Sequence, residues 1–153
     1  TVYYDDLTHY FMEFDIYDKD TKKFLSTKKR KEMLDRYDFI VSVLVLFDGY
    51  IKNFKDIEKF VTNSKFKTKD WTKNLEKTCN ELNLSYDLAK SQTDSSDKME
   101  GLYIKVENEE EVLIRCKYER DTFTNTILDS ETHWVNRPII PNKLRFDIDI
   151  FKE

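Results

Sequence analysis

Residues 97–120 read Asp-Lys-Met-Glu-Gly-Leu-Tyr-Ile-Lys-Val-Glu, then an acidic turn, then Val-Leu-Ile-Arg-Cys-Lys-Tyr-Glu-Arg. Two such segments joined by a polar turn predict neighbouring strands. Asn108, within the acidic turn Glu107 to Glu111, is a suitable turn residue. A two-residue turn at Asn108-Glu109 would place Glu100 opposite Lys117 and Leu102 opposite Arg115. A one-residue change in loop length would instead place Gly101 opposite Lys117. Either register brings Lys117 within reach of Glu100. Alternation puts Arg115 and Lys117 on one face of their strand. Gly101 would leave room there for a ligand. Strict alternation puts Lys105 on the opposite face from Glu100.

A carboxylate beside two fixed cations suits a nucleoside triphosphate. Glu100 would hold Mg²⁺, directly or through water. Arg115 and Lys117 would neutralise charge developing on the α-phosphate. The plain alternative is a cross-strand salt bridge on a solvated sheet face. Periodicity by itself favours that alternative.

The 153 residues suffice for one domain with a real core. Aromatic residues make up 14% of the chain, which argues against disorder. With only two glycines, a Gly-rich phosphate-cradling loop is excluded. The formal net charge of -4 gives no global basic signal for nucleic acid. Phosphate binding must therefore come from a local cluster. Cys79 and Cys116 lack metal-ligand spacing and read as reduced thiols, which points to an intracellular, reducing compartment, cytoplasmic or nuclear. The longest apolar run, Phe39 to Phe47, is too short to span a bilayer. No signal peptide is visible, and nothing indicates an oligomeric state.

Along the chain, residues 9–18 read as an aromatic strand and Lys19 to Lys23 as a turn. Ser26 or Thr27 can cap a helix to about Tyr37, with Met33 and Leu34 inward. Residues 39–47 read as a buried strand ending at Asp48-Gly49. Asn53 caps a helix to about Asn63, with Phe54, Ile57, Phe60 and Val61 at helical spacing. Asp70 caps another, with Trp71, Leu75, Cys79 and Leu82 on one stripe. Residues 90–98 read as a polar loop. Order and composition predict α+β, with a mainly antiparallel sheet and flanking helices. The basic run Lys28-Lys29-Arg30-Lys31 could follow an RNA backbone, but a solvated helix face is the commoner outcome.

Three segments together resemble the ATP-dependent RNA ligases, a branch of the covalent nucleotidyltransferases. They are YFMEFDIYD with FLSTKKRKEML, MEGLYIKVE with IRCKYER, and HWVNRPIIPN. The resemblance implies a nucleotidyltransferase domain, ATP-grasp-like, covering residues 1–153 as a single partial domain. It implies ATP and Mg²⁺ as cofactors and RNA ends, a 5′-phosphate and a 3′-hydroxyl, as partners. In that family a lysine of a Lys-x-Asp-Gly motif attacks the α-phosphate of ATP and forms lysyl-AMP. The AMP passes to the RNA 5′-phosphate, and the 3′-hydroxyl displaces it to seal the strand. The resemblance gives Glu100 the metal and Lys117 the α-phosphate. Arg115 stands where the family has a second lysine. Phe14 would pack on the adenine, with Phe11 as fallback, and Gly101 and Lys105 would lie at the nucleotide. His133 and Arg137 would order the tail or touch RNA.

The nucleophile motif is missing. Asp48-Gly49 is the sole Asp-Gly, and Leu46 occupies the lysine's place. The chain also begins at Thr1 with residues that already read as folded. The expectation is therefore the C-terminal part of a longer ligase, lacking its N-terminal portion. Three alternatives remain from sequence, the first a non-catalytic module that binds nucleotide or RNA and the second a related DNA ligase or capping guanylyltransferase. An interaction domain with no nucleotide chemistry is the third.

Overall fold

The computed structural model describes residues 1–123 and 138–151. His133 and Arg137 lie outside the described residues. The chain is α+β, with short helices and small antiparallel sheets. In place of one larger sheet, the described residues carry two separate two-stranded sheets. The chain divides into two compact units. Residues 1–10, 61–100 and 119–153 form the first, and residues 11–60 and 101–118 the second.

In the second unit, β1 (Tyr17–Asp18) pairs antiparallel with β2 (Lys23–Phe24). The Asp18 carboxylate closes the turn between them, accepting from the Asp20 amide at 2.9 Å and the Thr21 hydroxyl at 2.8 Å. Helix α1 (Thr27–Leu34) starts where Ser26 caps it, its hydroxyl oxygen accepting from the Lys29 amide at 3.2 Å. The inward residue of α1 is neither Met33, which is exposed, nor the half-buried Leu34, but Arg30. Its guanidinium meets Glu13 Oε2 at 2.8 Å, and the Ser42 hydroxyl donates to the same oxygen. Burying an arginine there follows from the carboxylate waiting for it.

Most of residues 9–16 and all of 39–47 lie outside regular strands, contrary to the sequence expectation. Glu13 and Ser42 form a single parallel bridge. Leu44, Val45, Leu46 and Phe47 are exposed. An apolar run becomes a buried strand only where neighbours pair with it and cover its faces, and here, among the described residues, Glu13 alone bridges to it. Residues Phe54–Phe60 form a 3₁₀ helix with Ile57 buried and Phe54 exposed. Strands β3 (Gly101–Glu107) and β4 (Val112–Glu119) make the second sheet.

The first unit is built on α2 (Trp71–Glu81) and α3 (Tyr86–Ser91). Trp71, Leu75 and Cys79 recur at helical spacing and pack with Tyr3 and Ala89 into the core. Leu82 drops out of the expected stripe and is exposed. It is the C-cap residue, and the backbone then turns left-handed at Asn83, with φ 54°. Asp70 occupies the N-cap of α2 without a side-chain cap bond, whereas Ser85 caps α3. The polar 90–98 segment is not simply solvated, since Thr93 and Asp94 are buried. The first residues of the chain are tied in by Tyr3 to Thr78 at 3.1 Å and by a parallel bridge of Leu7 with Leu144.

Candidate functional site

The second unit gathers three of its polar side chains at one carboxylate. Tyr103 and Lys105 alternate along β3 and so reach the same side. Tyr103 donates to Asp15 Oδ2 at 2.6 Å, and Lys105 Nζ meets Asp15 Oδ1 at 2.9 Å. Arg115, from β4, reaches Asp15 Oδ2 at 3.2 Å and the Tyr103 hydroxyl at 3.4 Å, both through Nη1. Its guanidinium lies 3.4 Å from the centre of the Phe24 ring, a cation–π stack. Phe14 packs edge-on against Tyr103 at 5.3 Å, and its carbonyl accepts from Lys105 Nζ at 2.9 Å. Burial pushes the Asp15 carboxyl up. The bonds from Tyr103, Lys105 and Arg115 outweigh it and hold the carboxyl below its ordinary value.

The hairpin turn is longer than the two-residue turn expected. The connection runs from Asn108 to Glu111 rather than over two residues, with the Asn108 amide donating to the Glu111 carbonyl at 3.0 Å. The Asn108 side-chain oxygen takes the amides of Glu110 and Glu111, both at 2.8 Å. Arg115 reaches the hydroxyl of Tyr103, the residue that the alternative register, with Gly101 opposite Lys117, places across from it. Lys117 stands two positions further along β4 and is exposed. Gly101 opens β3.

Glu100 belongs to the first unit. Its backbone partner is Arg120 rather than Lys117: the Arg120 amide donates to its carbonyl at 3.0 Å. The Glu100 carboxylate accepts the Tyr4 hydroxyl on Oε1 at 2.5 Å. Burial first, and the Glu100 carboxylate second, drive the Tyr4 phenol far above its ordinary pKa. Tyr4 is therefore a permanent donor. Arg120 also donates from Nε to the Met99 carbonyl at 3.0 Å and pairs with the buried Asp94. Lys67 lies 4.1 Å over the Trp71 ring and donates to the Ser96 carbonyl at 2.7 Å. Burial pushes its ammonium down.

Among the described residues, no three His, Cys, Asp or Glu side chains gather as a metal site. A Mg²⁺ bound mostly by water and substrate phosphates needs only one or two carboxylates. A half-buried Glu100 with one oxygen held by Tyr4 fits that smaller demand. The basic run of α1 is largely consumed internally, with Lys28 on Glu109, Lys29 on Glu110 and Arg30 on Glu13.

Sequence reasoning singled out Phe14, Lys105 and Arg115, and the structure brings these three together. It missed Asp15 and Tyr103, although both stand inside the quoted strings EFDIYD and EGLYIKVE. It also missed Tyr4, Asp94 and Arg120, which no local spacing connects. Among the described residues, no helix is long and apolar enough to cross a membrane. A family model described as RNA ligase matches residues 1–120. No curated protein and no solved structure matches the chain.

Proposed function

The chain belongs to the RNA ligase family, and from that premise we propose that it supplies the nucleotide- and metal-handling residues of an ATP-dependent RNA-joining enzyme with a nucleotidyltransferase fold. Glu100 holds Mg²⁺, which supplies charge neutralisation at the triphosphate. Arg115 and Lys117 bind the α-phosphate, and Phe14 offers its exposed ring to the adenine. Lys105 uses two of its three N–H donors on Asp15 and Phe14, and the third is left for the nucleotide beside Gly101. The observation that carries this reading is the Asp15 cluster, which aligns a lysine and an arginine before any ligand arrives. The substrate is a pair of RNA ends, one 5′-phosphorylated and one bearing a 3′-hydroxyl.

A second reading has its own observation. The sequence contains no Lys-x-Asp-Gly, so a module that binds nucleotide without forming lysyl-AMP competes with the enzyme. Intact mass of the native protein, compared with the 18.5 kDa of this chain, before and after incubation with ATP and Mg²⁺ decides between them. Gain of one AMP, lost in Glu100→Ala and Lys117→Ala, supports the ligase. ATP binding without an adduct supports the binding module. Neither adduct nor binding rejects both.

A further inference from the structure

The metal carboxylate is held from two sides, and one of them comes from the start of the chain. Arg120 grips the backbone around Glu100, through the Met99 and Glu100 carbonyls. The Arg120 guanidinium is anchored in turn on Asp94, and both side chains are buried. Tyr4 grips the side chain through Glu100 Oε1. Tyr4 is itself fixed on both backbone groups. Its amide donates to Asn142 Oδ1 at 3.0 Å, and its carbonyl accepts the Lys143 amide at 2.8 Å. Its ring packs edge-on against Phe66, with centroids 6.0 Å apart.

A lone glutamate on a strand end samples several rotamers, and ordering it on metal binding costs entropy. A donor held this firmly removes that cost in advance. We propose that Tyr4 is a positioning residue for divalent-cation binding: it occupies Oε1 of Glu100, selects one carboxylate rotamer, and leaves Oε2 for Mg²⁺ or its inner-sphere water. This rests on the assignment of the metal to Glu100. The outer hydrogen bond to a metal-binding carboxylate also sets its orientation, and losing one of this kind costs on the order of tenfold in metal affinity.

The test measures metal binding, not catalysis. Mn²⁺ replaces Mg²⁺ as a paramagnetic probe. It is titrated with an ATP analogue carrying a methylene between the α and β phosphates, and water-proton relaxation reports the ternary complex. Tyr4→Phe keeps the ring and removes one hydroxyl, and thermal unfolding checks that the fold is retained. Wild type is expected to bind, Glu100→Gln to lose the complex, and Tyr4→Phe to weaken it about tenfold. Glu100→Asp withdraws the carboxylate from Tyr4, so adding Tyr4→Phe to it is expected to cost little more. If Tyr4→Phe binds like wild type while Glu100→Gln does not, the role of Tyr4 is overturned and the metal assignment stands. If Glu100→Gln binds like wild type, or wild type does not bind, the metal assignment falls and the inference falls with it. Equal losses from Tyr4→Phe in the wild-type and Glu100→Asp backgrounds would reduce Tyr4 to a packing residue.

Discussion

Arg30 is a charged side chain in the place of a core residue. It is 1% exposed, and its Nε finds no partner among the described residues. Its pairing with Glu13 therefore offsets a large desolvation cost rather than adding much stability. Arg30→Met leaves the half-buried Glu13 with the Ser42 hydroxyl but no cation, and urea unfolding is expected to show a loss of about 3 kcal/mol. Arg30→Met with Glu13→Leu should recover most of it, and a double variant as unstable as the single one would refute this account. Asp15 gives a different signature. Its carboxyl lies below the ordinary value in the folded state, so the stability it contributes is present above the unfolded pKa, about 3.9. That contribution is lost as the pH falls through the folded value. Asp15→Asn should therefore unfold at a lower temperature than wild type near pH 7, with the gap closing as the pH falls below the unfolded value, about 3.9. A gap that stays constant across the acid range would mean that geometry, not charge, sets the effect.

At the scale of elements, the two caps that were equally plausible in sequence differ in the structure. The Ser26 hydroxyl oxygen accepts from Lys29 and its hydrogen goes to the Glu109 carbonyl at 2.8 Å, so it ties α1 to the hairpin turn. The Asp70 side chain makes no cap bond and pairs instead with Lys73 at the surface. Ser26→Ala should cost about 1–2 kcal/mol in denaturant unfolding and Asp70→Ala markedly less. Comparable losses would contradict the assignment. The same contrast explains what the sequence could disclose. Helix starts at Ser26 and Trp71 and the Trp71, Leu75, Cys79 stripe are local patterns, and they were legible. The fate of residues 39–47 depends on what pairs with them, which local periodicity does not encode. The Asp15 cluster was half legible. Its cations stood in a recognisable strand pair, but the carboxylate that aligns them comes from a segment some ninety positions earlier, as in its bond to Lys105. The two-residue turn failed because the Asn108 side chain caps a longer one.

For the molecule as a whole, the second unit leaves much apolar surface in water. Phe39, Leu44, Val45, Leu46 and Phe47 are exposed on one segment, and Leu113 and Ile114 on β4. Monomeric proteins seldom leave large contiguous patches uncovered. The folded protein is expected to bind the dye ANS below its unfolding transition, and Leu46→Lys with Ile114→Lys should reduce the fluorescence. Dye binding that appears only during unfolding would show that these side chains are not reachable together.

The interleaving of segments in the first unit carries over to how the chain is made. Tyr3 waits for Thr78, Tyr4 for Glu100 and Asn142, and Leu7 for Leu144. On a ribosome, Tyr3, Tyr4 and Leu7 emerge before these partners and must wait for them. Such long-range closure slows folding and leaves apolar segments uncovered meanwhile. Chaperone demand during synthesis is thus written into the position of Tyr4, the same residue that steadies Glu100.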